Sequence, residues 1–230
     1  MDFAPFDQRG YPTLPVREGY DAWAATYEEV VQDEMDLRLL ERVQDLDWAG
    51  ARRALDLACG TGRVGAWLKG RGVQQLDGVD FTPGMLEHAR RKGVYDHLVE
   101  AEVADTGLEA GAYDLIVQSL ADEHLAELGG LYREAARLAS PDAAFVLVGY
   151  HPHFLMTGMP AHFNGADGSP VAVESYVHLA SDQFKAASAA GWRLAGFDEG
   201  VVDDAWIAKK PKWERWRHHP VSFCMVWRRA

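Results

Sequence analysis

The chain has 230 residues and a formal net charge of −12, with 35 acidic against 23 basic side chains. An acidic excess of that size argues against general binding of nucleic-acid backbones or anionic membrane surfaces; Lys209–Arg217 is the one basic stretch that could act otherwise. Two cysteines exclude a disulfide framework and a four-cysteine zinc site. Hydrophobic residues make up 48%, enough to bury a full core. No signal-peptide pattern surrounds Asp2 and Asp7, and no uncharged apolar run approaches the ~20 residues that span a bilayer. A protein of the reducing cytoplasm, with no membrane partner, is therefore expected. No Gly/Ser or Pro-rich linker divides the middle, so residues 1–230 read as one domain.

Pro5, Pro12 and Pro15 break any period over residues 1–19, which read as loop. From Asp21 a helical face appears, with Trp23, Tyr27, Val30 and Val31 at i, i+4, i+7 and i+8. Glu34–Leu46 continues as helix on a Leu37, Leu40, Val43 stripe. Ala54–Ala58 is a short apolar strand running into Cys59-Gly60-Thr61-Gly62, and a helix follows from Arg63 to Gly70. Gln75–Asp80 is the next strand. Thr82 as cap and Pro83 at the first helical position open a helix to Arg91. His97–Ala104 holds a short strand, Tyr113–Ser119 a buried one, Leu128–Ala139 a helix and Ala144–Tyr150 another apolar strand. Residues 151–180 are irregular and too long for an ordinary connection. Ser181–Ala190 is a helix. Trp192–Val202 and Val221–Arg228 are strands with no helix between them, hence an antiparallel pair at one edge. Alternation of helices with near-continuous apolar strands predicts a parallel α/β sheet.

The loop after the first apolar strand contains G-x-G-x-x-G at Gly60, Gly62 and Gly65. The first two glycines permit a tight turn and close approach of a ligand to the backbone. Asp80 closes the next strand, the place for a carboxylate that grips a ribose diol. An adenosine-type ligand at the carboxyl ends of the strands follows. Charge selects among such ligands. Asp56, just before the turn, would repel a pyrophosphate. It would favour S-adenosylmethionine, which carries an ammonium and a sulfonium and no phosphate.

The segment LDLACGTGRVG followed by GVDFTPGMLEHAR resembles the class I S-adenosylmethionine-dependent methyltransferases, over roughly Tyr20–Tyr150. The resemblance implies a Rossmann-like three-layer α/β sandwich with a seven-stranded, mostly parallel sheet and an antiparallel last strand. It implies that Asp56, Gly60 and Gly62 surround the methionine part of the cofactor, and that Asp80 holds the ribose. Phe81 and Met85 would pack on the adenine, with Asp105 and Thr106 at its amino group. Ser119 and Leu120 would lie near the transferred methyl, and Tyr20 and Tyr27 would close over the cofactor, so that residues 1–46 form a cap. Cys59 departs from the glycine that many members carry; it is small, and no reactive role is needed.

The resemblance names no acceptor. Asp122-Glu123-His124 and His151-Pro152-His153-Phe154 follow two strands and are expected to face one mouth. His124 or His151 is the candidate base for a hydroxyl nucleophile in an in-line displacement; alignment alone is the alternative. The same side chains with His162 could be read as metal ligands, but Pro152 breaks the His151–His153 spacing and no metal is assigned. Residues 151–180 are expected to form a lid or pocket wall, with His153, Phe154, Met156, Phe163 and Tyr176 facing a small, partly aromatic or amphipathic acceptor. Trp213 and Trp216, between cations, read as a loop packed between the last two strands. The best reading is a small-molecule methyltransferase with oxygen as first acceptor. Nitrogen or carbon acceptors, a non-catalytic cofactor-binding protein and a nicotinamide dehydrogenase are the alternatives.

Overall fold

The architecture follows from apolar strands separated by glycine turns and amphipathic helices. The computed structural model describes residues 1–30 and 35–230, so the expectations for Val31 and Glu34 lie outside the described residues. In chain order come β1 (Thr13–Leu14), α1 (Val16–Trp23), α2 (Tyr27–Val30) and α3 (Leu37–Arg42). The alternating body follows: β2 (Ala54–Leu57), α4 (Arg63–Gly70), β3 (Leu76–Asp80), α5 (Pro83–Lys92), β4 (His97–Glu100), β5 (Tyr113–Ser119), α6 (Gly129–Leu138) and β6 (Ala139–Tyr150). The chain ends with α7 (Pro152–Met156), β7 (His162–Asn164), β8 (Pro170–Val173), α8 (Ala180–Ala189), β9 (Trp192–Val201), α9 (Asp204–Lys209) and β10 (Pro220–Arg229).

The main sheet has seven strands in the order β4-β3-β2-β5-β6-β10-β9. β4 to β6 run parallel, and β10 is antiparallel to both β6 and β9. The chain winds outward from β2 to β4, then returns to β5, which places a topological switch point between β2 and β5. Alternate side chains of each strand enter opposite layers. Leu55 and Leu57 of β2 pack with Tyr132, Ala135 and Leu138 of α6 on one face. Ala54, with Leu115 and Val117 of β5, packs with Leu39, Leu40, Val64 and Leu68 on the other. This is the three-layer, mostly parallel arrangement expected from the sequence.

Several stretches differ from expectation. α3 ends at Arg42 rather than Leu46, because Val43 is already extended (φ −73°, ψ 100°). Residues 1–19 and 151–180 are not loops lying apart: β1, β8 and β7 make a second sheet, in the order β1-β8-β7, that joins the two stretches. The pairing is long-range, and two-residue β1 has no local signal of its own. The Lys209–Arg217 stretch, expected as a loop packed between the last two strands, does lie between β9 and β10 in the chain but is mostly helical, and α9 is a helix where none was expected. It forms the end of α9 and a 3₁₀ turn, Pro211–Trp216, in which Trp213 stacks on Phe154 at 5.7 Å. No helix among the described residues is long and apolar enough to cross a membrane.

Gly65 opens the contact between α4 and the edge of the sheet. A Cβ there would overlap the ring and hydroxyl of Tyr95, whose hydroxyl donates to Asp56 at 2.7 Å. Gly65→Ala is expected to destabilise the fold by about 1–3 kcal/mol through overpacking, read as a lower denaturation midpoint in urea.

Candidate functional site

A cleft with about 760 Å³ of empty space, open solvent at its mouth included, lies at the carboxyl ends of β2, β3 and β5 under α1. Two non-glycine residues on its wall, Ala58 after β2 (φ 63°) and Leu120 after β5 (φ 52°), are left-handed. Such conformations cost about 1–2 kcal/mol each and gather at functional sites. Gly60 is left-handed too (φ 53°), and a Cβ added there would meet nothing within 4 Å. That opening is the close-approach space expected of the turn. The Asp80 carboxylate ties the turn to the end of β3: Oδ2 accepts the Gly60 N–H at 2.9 Å and Oδ1 the Thr82 N–H at 2.8 Å. Burial raises its pKa, and each oxygen keeps acceptor capacity beyond its one backbone bond. Arg17 donates from Nε to the Phe81 carbonyl at 2.8 Å and pairs with Glu100 at 2.6 Å, which fixes α1 over the cleft.

Tyr20, Tyr27, Gly60, Asp80, Phe81, Met85, Ser119 and Leu120 line this cleft. Four other expected cofactor contacts do not. Asp56 is 1% exposed and sits beneath the turn. Its carboxyl is pushed up to about 7, chiefly by desolvation, against the Tyr95 hydrogen bond. Gly62 caps α4 at φ 82° and faces Tyr95. Asp105 and Thr106 fall outside because β4 ends at Glu100, not near Ala104, so the strand-end position passes to Glu102 and Val103. Thr106 instead donates its N–H (3.0 Å) and hydroxyl (2.5 Å) to Glu134. Sequence reasoning missed Glu102 and Val103, which an earlier end to the fourth strand would have revealed. Among the described residues, Asp80 and Glu102, not Asp56, are the carboxylates lining the cleft, and no lysine or arginine lines it. The donor set fits S-adenosylmethionine: an acceptor for a diol, apolar Phe81, Met85 and Val103 for a flat base, and negative walls for a cation without phosphate.

Asp56 also carries a testable pH signature. Its folded pKa lies above the ordinary aspartate value of about 3.9, so its contribution to stability is full below that value. It is lost as pH rises towards about 7. Thermal melts of the wild type should therefore decline from pH 5 to pH 7 by up to about 1.4 kcal/mol per pH unit from this group. Asp56→Asn should flatten that decline.

His124 reaches the cleft from the 3₁₀ turn Asp122–His124. Its Nδ1 lies 2.6 Å from the Glu174 carbonyl, which only accepts, so Nδ1 carries the proton and Nε2 accepts the Tyr20 hydroxyl at 2.8 Å. Desolvation lowers its pKa to about 4, so the imidazole is neutral at physiological pH. Glu123 lies 3.6 Å from the same nitrogen. Burial, then the neighbouring Asp122 carboxyl, push the Glu123 carboxyl well up.

The second histidine cluster goes elsewhere. His151 caps α7, its Nδ1 accepting the His153 N–H at 3.1 Å, while Nε2 pairs with Glu199 at 2.9 Å. His153 bonds and stacks on His219. Tyr176 is held outward by Glu174 at 2.8 Å, and Met156 packs beside Phe3, Leu155 and Val177. None of these four lines the cleft beside Asp80. The reason is the twist of β6 into α7: the chain turns towards the β10–β9 edge immediately after Tyr150. Among the described residues no three His, Cys, Asp or Glu side chains form a metal-binding group.

A second pocket, about 1360 Å³ of empty space with open solvent included, is walled by Trp23, Tyr150, Phe154, Phe163, Trp213 and Trp216. Phe154 and Phe163, two of the residues expected on an acceptor wall, line this pocket. An aromatic partition separates the two spaces: Trp23 stacks on Tyr20 at 5.7 Å and meets Tyr27 edge-on at 5.2 Å. Leu120, from the first cleft, shares a cluster with Met35 and Phe154 of the second.

This fold is shared with solved S-adenosylmethionine-dependent methyltransferases. Residues 55–147 match the family model described as "Methyltransferase domain". Over 117 residues it is 38% identical to methyltransferase-like protein 27 of Homo sapiens, covering 45% of this chain and 46% of that protein. Over 143 residues it is 32% identical to a malonyl-[acyl-carrier protein] O-methyltransferase of Legionella pneumophila, covering 60% of this chain and 50% of that protein. The chain thus spans about half the length of these curated relatives. The crystal structure of an S-adenosylmethionine-dependent methyltransferase from Mesorhizobium loti shares the fold, with TM-score 0.68 and 21% identity, covering 85% of this chain and 98% of that one.

Proposed function

We propose that this chain transfers a methyl group from S-adenosylmethionine to a small acceptor, with oxygen as the receiving atom. The observation that carries this reading is the first cleft, which Asp80, Glu102 and the open Gly60 turn line together, with no lysine or arginine among its described lining residues. S-adenosylmethionine, when bound, supplies an electrophilic methyl on a sulfonium. Asp80 and the Gly60 backbone hold the nucleoside, with Phe81 and Met85 against the base. Glu102 takes the acidic role that the family resemblance implies for Asp105. Tyr20 and His124 form the proton route: the Tyr20 hydroxyl faces the cleft and already donates to a neutral Nε2. α1 and the β1-β8-β7 sheet serve as the lid, and the second pocket is the acceptor chamber. O-methylation by the Legionella relative supports oxygen.

Calorimetry with S-adenosylhomocysteine and with NAD, followed by labelled-methyl transfer to a metabolite panel, tests the reading. Binding of the first and not the second, with label appearing in an acceptor, is the expected result. Binding of NAD alone would end it, and cofactor binding with no transfer would favour a non-catalytic role.

A further inference from the structure

We infer that the second pocket takes an amphipathic anion: a molecule with an apolar or aromatic body and an acid group held by Lys212 and Arg215. The inference rests on the reading of that pocket as the acceptor chamber. Among the described residues, Lys212 and Arg215 are the charged side chains on its wall, and no carboxylate lines it. Both are exposed, and neither has a carboxylate partner among the described residues. Arg217, on the same stretch, shows the contrast: it is bonded to both Glu214 and Asp204. In a chain of net charge −12, two unpaired cations at one rim form a local field of opposite sign. Arg215 is already oriented, its guanidinium 5.4 Å above the Trp216 ring.

Below that rim the walls change character. Trp213 and Trp216 flank Phe154 at 5.7 and 5.2 Å, and Trp23 stacks on Phe163 at 5.3 Å. Flat apolar walls reward a body that leaves water. Cations at the mouth reward a negative end that stays partly hydrated. A neutral hydrocarbon would use the walls alone. A polyanion without an apolar body would use the rim alone. An amphipathic acid uses both, and its apolar end then points towards the Tyr20–Trp23–Tyr27 partition, on the cofactor side.

The test uses the whole chain and a matched pair of probes, 4-phenylbutyrate and its neutral amide, followed by tryptophan fluorescence and calorimetry. The acid should bind about 10-fold tighter than the amide at low salt, and the preference should shrink as salt rises. Lys212→Ala/Arg215→Ala should abolish the preference and leave amide affinity unchanged. Because both side chains are exposed and neither holds a carboxylate among the described residues, the double variant should melt with the wild type. Equal affinity for acid and amide, a preference that survives the double variant, or binding of neither probe would overturn the inference. S-adenosylhomocysteine, titrated in parallel, separates the failures. If it binds while the acid preference is absent, this inference alone is lost; if it fails while the preference holds, the methyltransferase reading is lost instead.

Discussion

His124→Asn should lower turnover about 10²-fold, towards the lower end of what a positioned base contributes, and leave S-adenosylhomocysteine affinity intact. Asparagine can still donate to the Glu174 carbonyl as Nδ1 does at 2.6 Å, so the local turn survives. What disappears is Nε2, the acceptor of the Tyr20 hydroxyl proton. A base with its pKa near 4 is weak, which is why the loss is placed low in the range. The same value dictates a pH profile. Lowered titration means the neutral, accepting imidazole persists from about pH 5 upward, so turnover should show no limb near the ordinary histidine value of about 6.5. Turnover should fall only as pH drops towards 4, when Nε2 takes its own proton. Labelled-methyl kinetics, with the acceptor that the panel returns, read both effects. Full activity in the variant would assign the rate to alignment of the two centres alone.

Asp80→Ala should weaken S-adenosylhomocysteine by roughly 5- to 150-fold, the equivalent of about 1–3 kcal/mol for lost hydrogen bonds to a buried carboxylate. Two losses combine. The ribose acceptor goes, and so do the 2.9 Å and 2.8 Å anchors that hold Gly60 and Thr82 in place. Asp80→Asn keeps one acceptor oxygen for that pair and should fall between the alanine variant and the wild type in calorimetry. Unchanged affinity in the alanine variant would show that the ribose does not lie at the end of β3.

Much of this site could be read without coordinates wherever the signal was local. Gly60 must be left-handed for the turn to close, and Asp80 must sit at a strand end because the apolar run stops there. Thr82-Pro83 marks a helix start whose floor residues, Phe81 and Met85, come with it. Asp105 was misplaced for an equally physical reason. β4 is a sheet-edge strand with only partly buried side chains, so the alternation that marks a strand end is faint and an error of a few residues moves the acidic position from Glu102 to Asp105. Asp56 shows the complementary error: its charge was legible, its burial was not.

The order of apolar strands, the glycine turn and the acid after the second strand were determined by the sequence itself. Each depends on backbone conformation and on which face of one element is apolar, properties encoded within a dozen residues. The tertiary structure alone decided that His124 meets the cofactor cleft while His151 turns away to Glu199. It alone also joined β1 to β8 and brought Trp213 and Trp216 to Phe154. Those contacts unite residues far apart along the chain, and their partners are chosen by how whole layers pack rather than by any pattern a single segment carries.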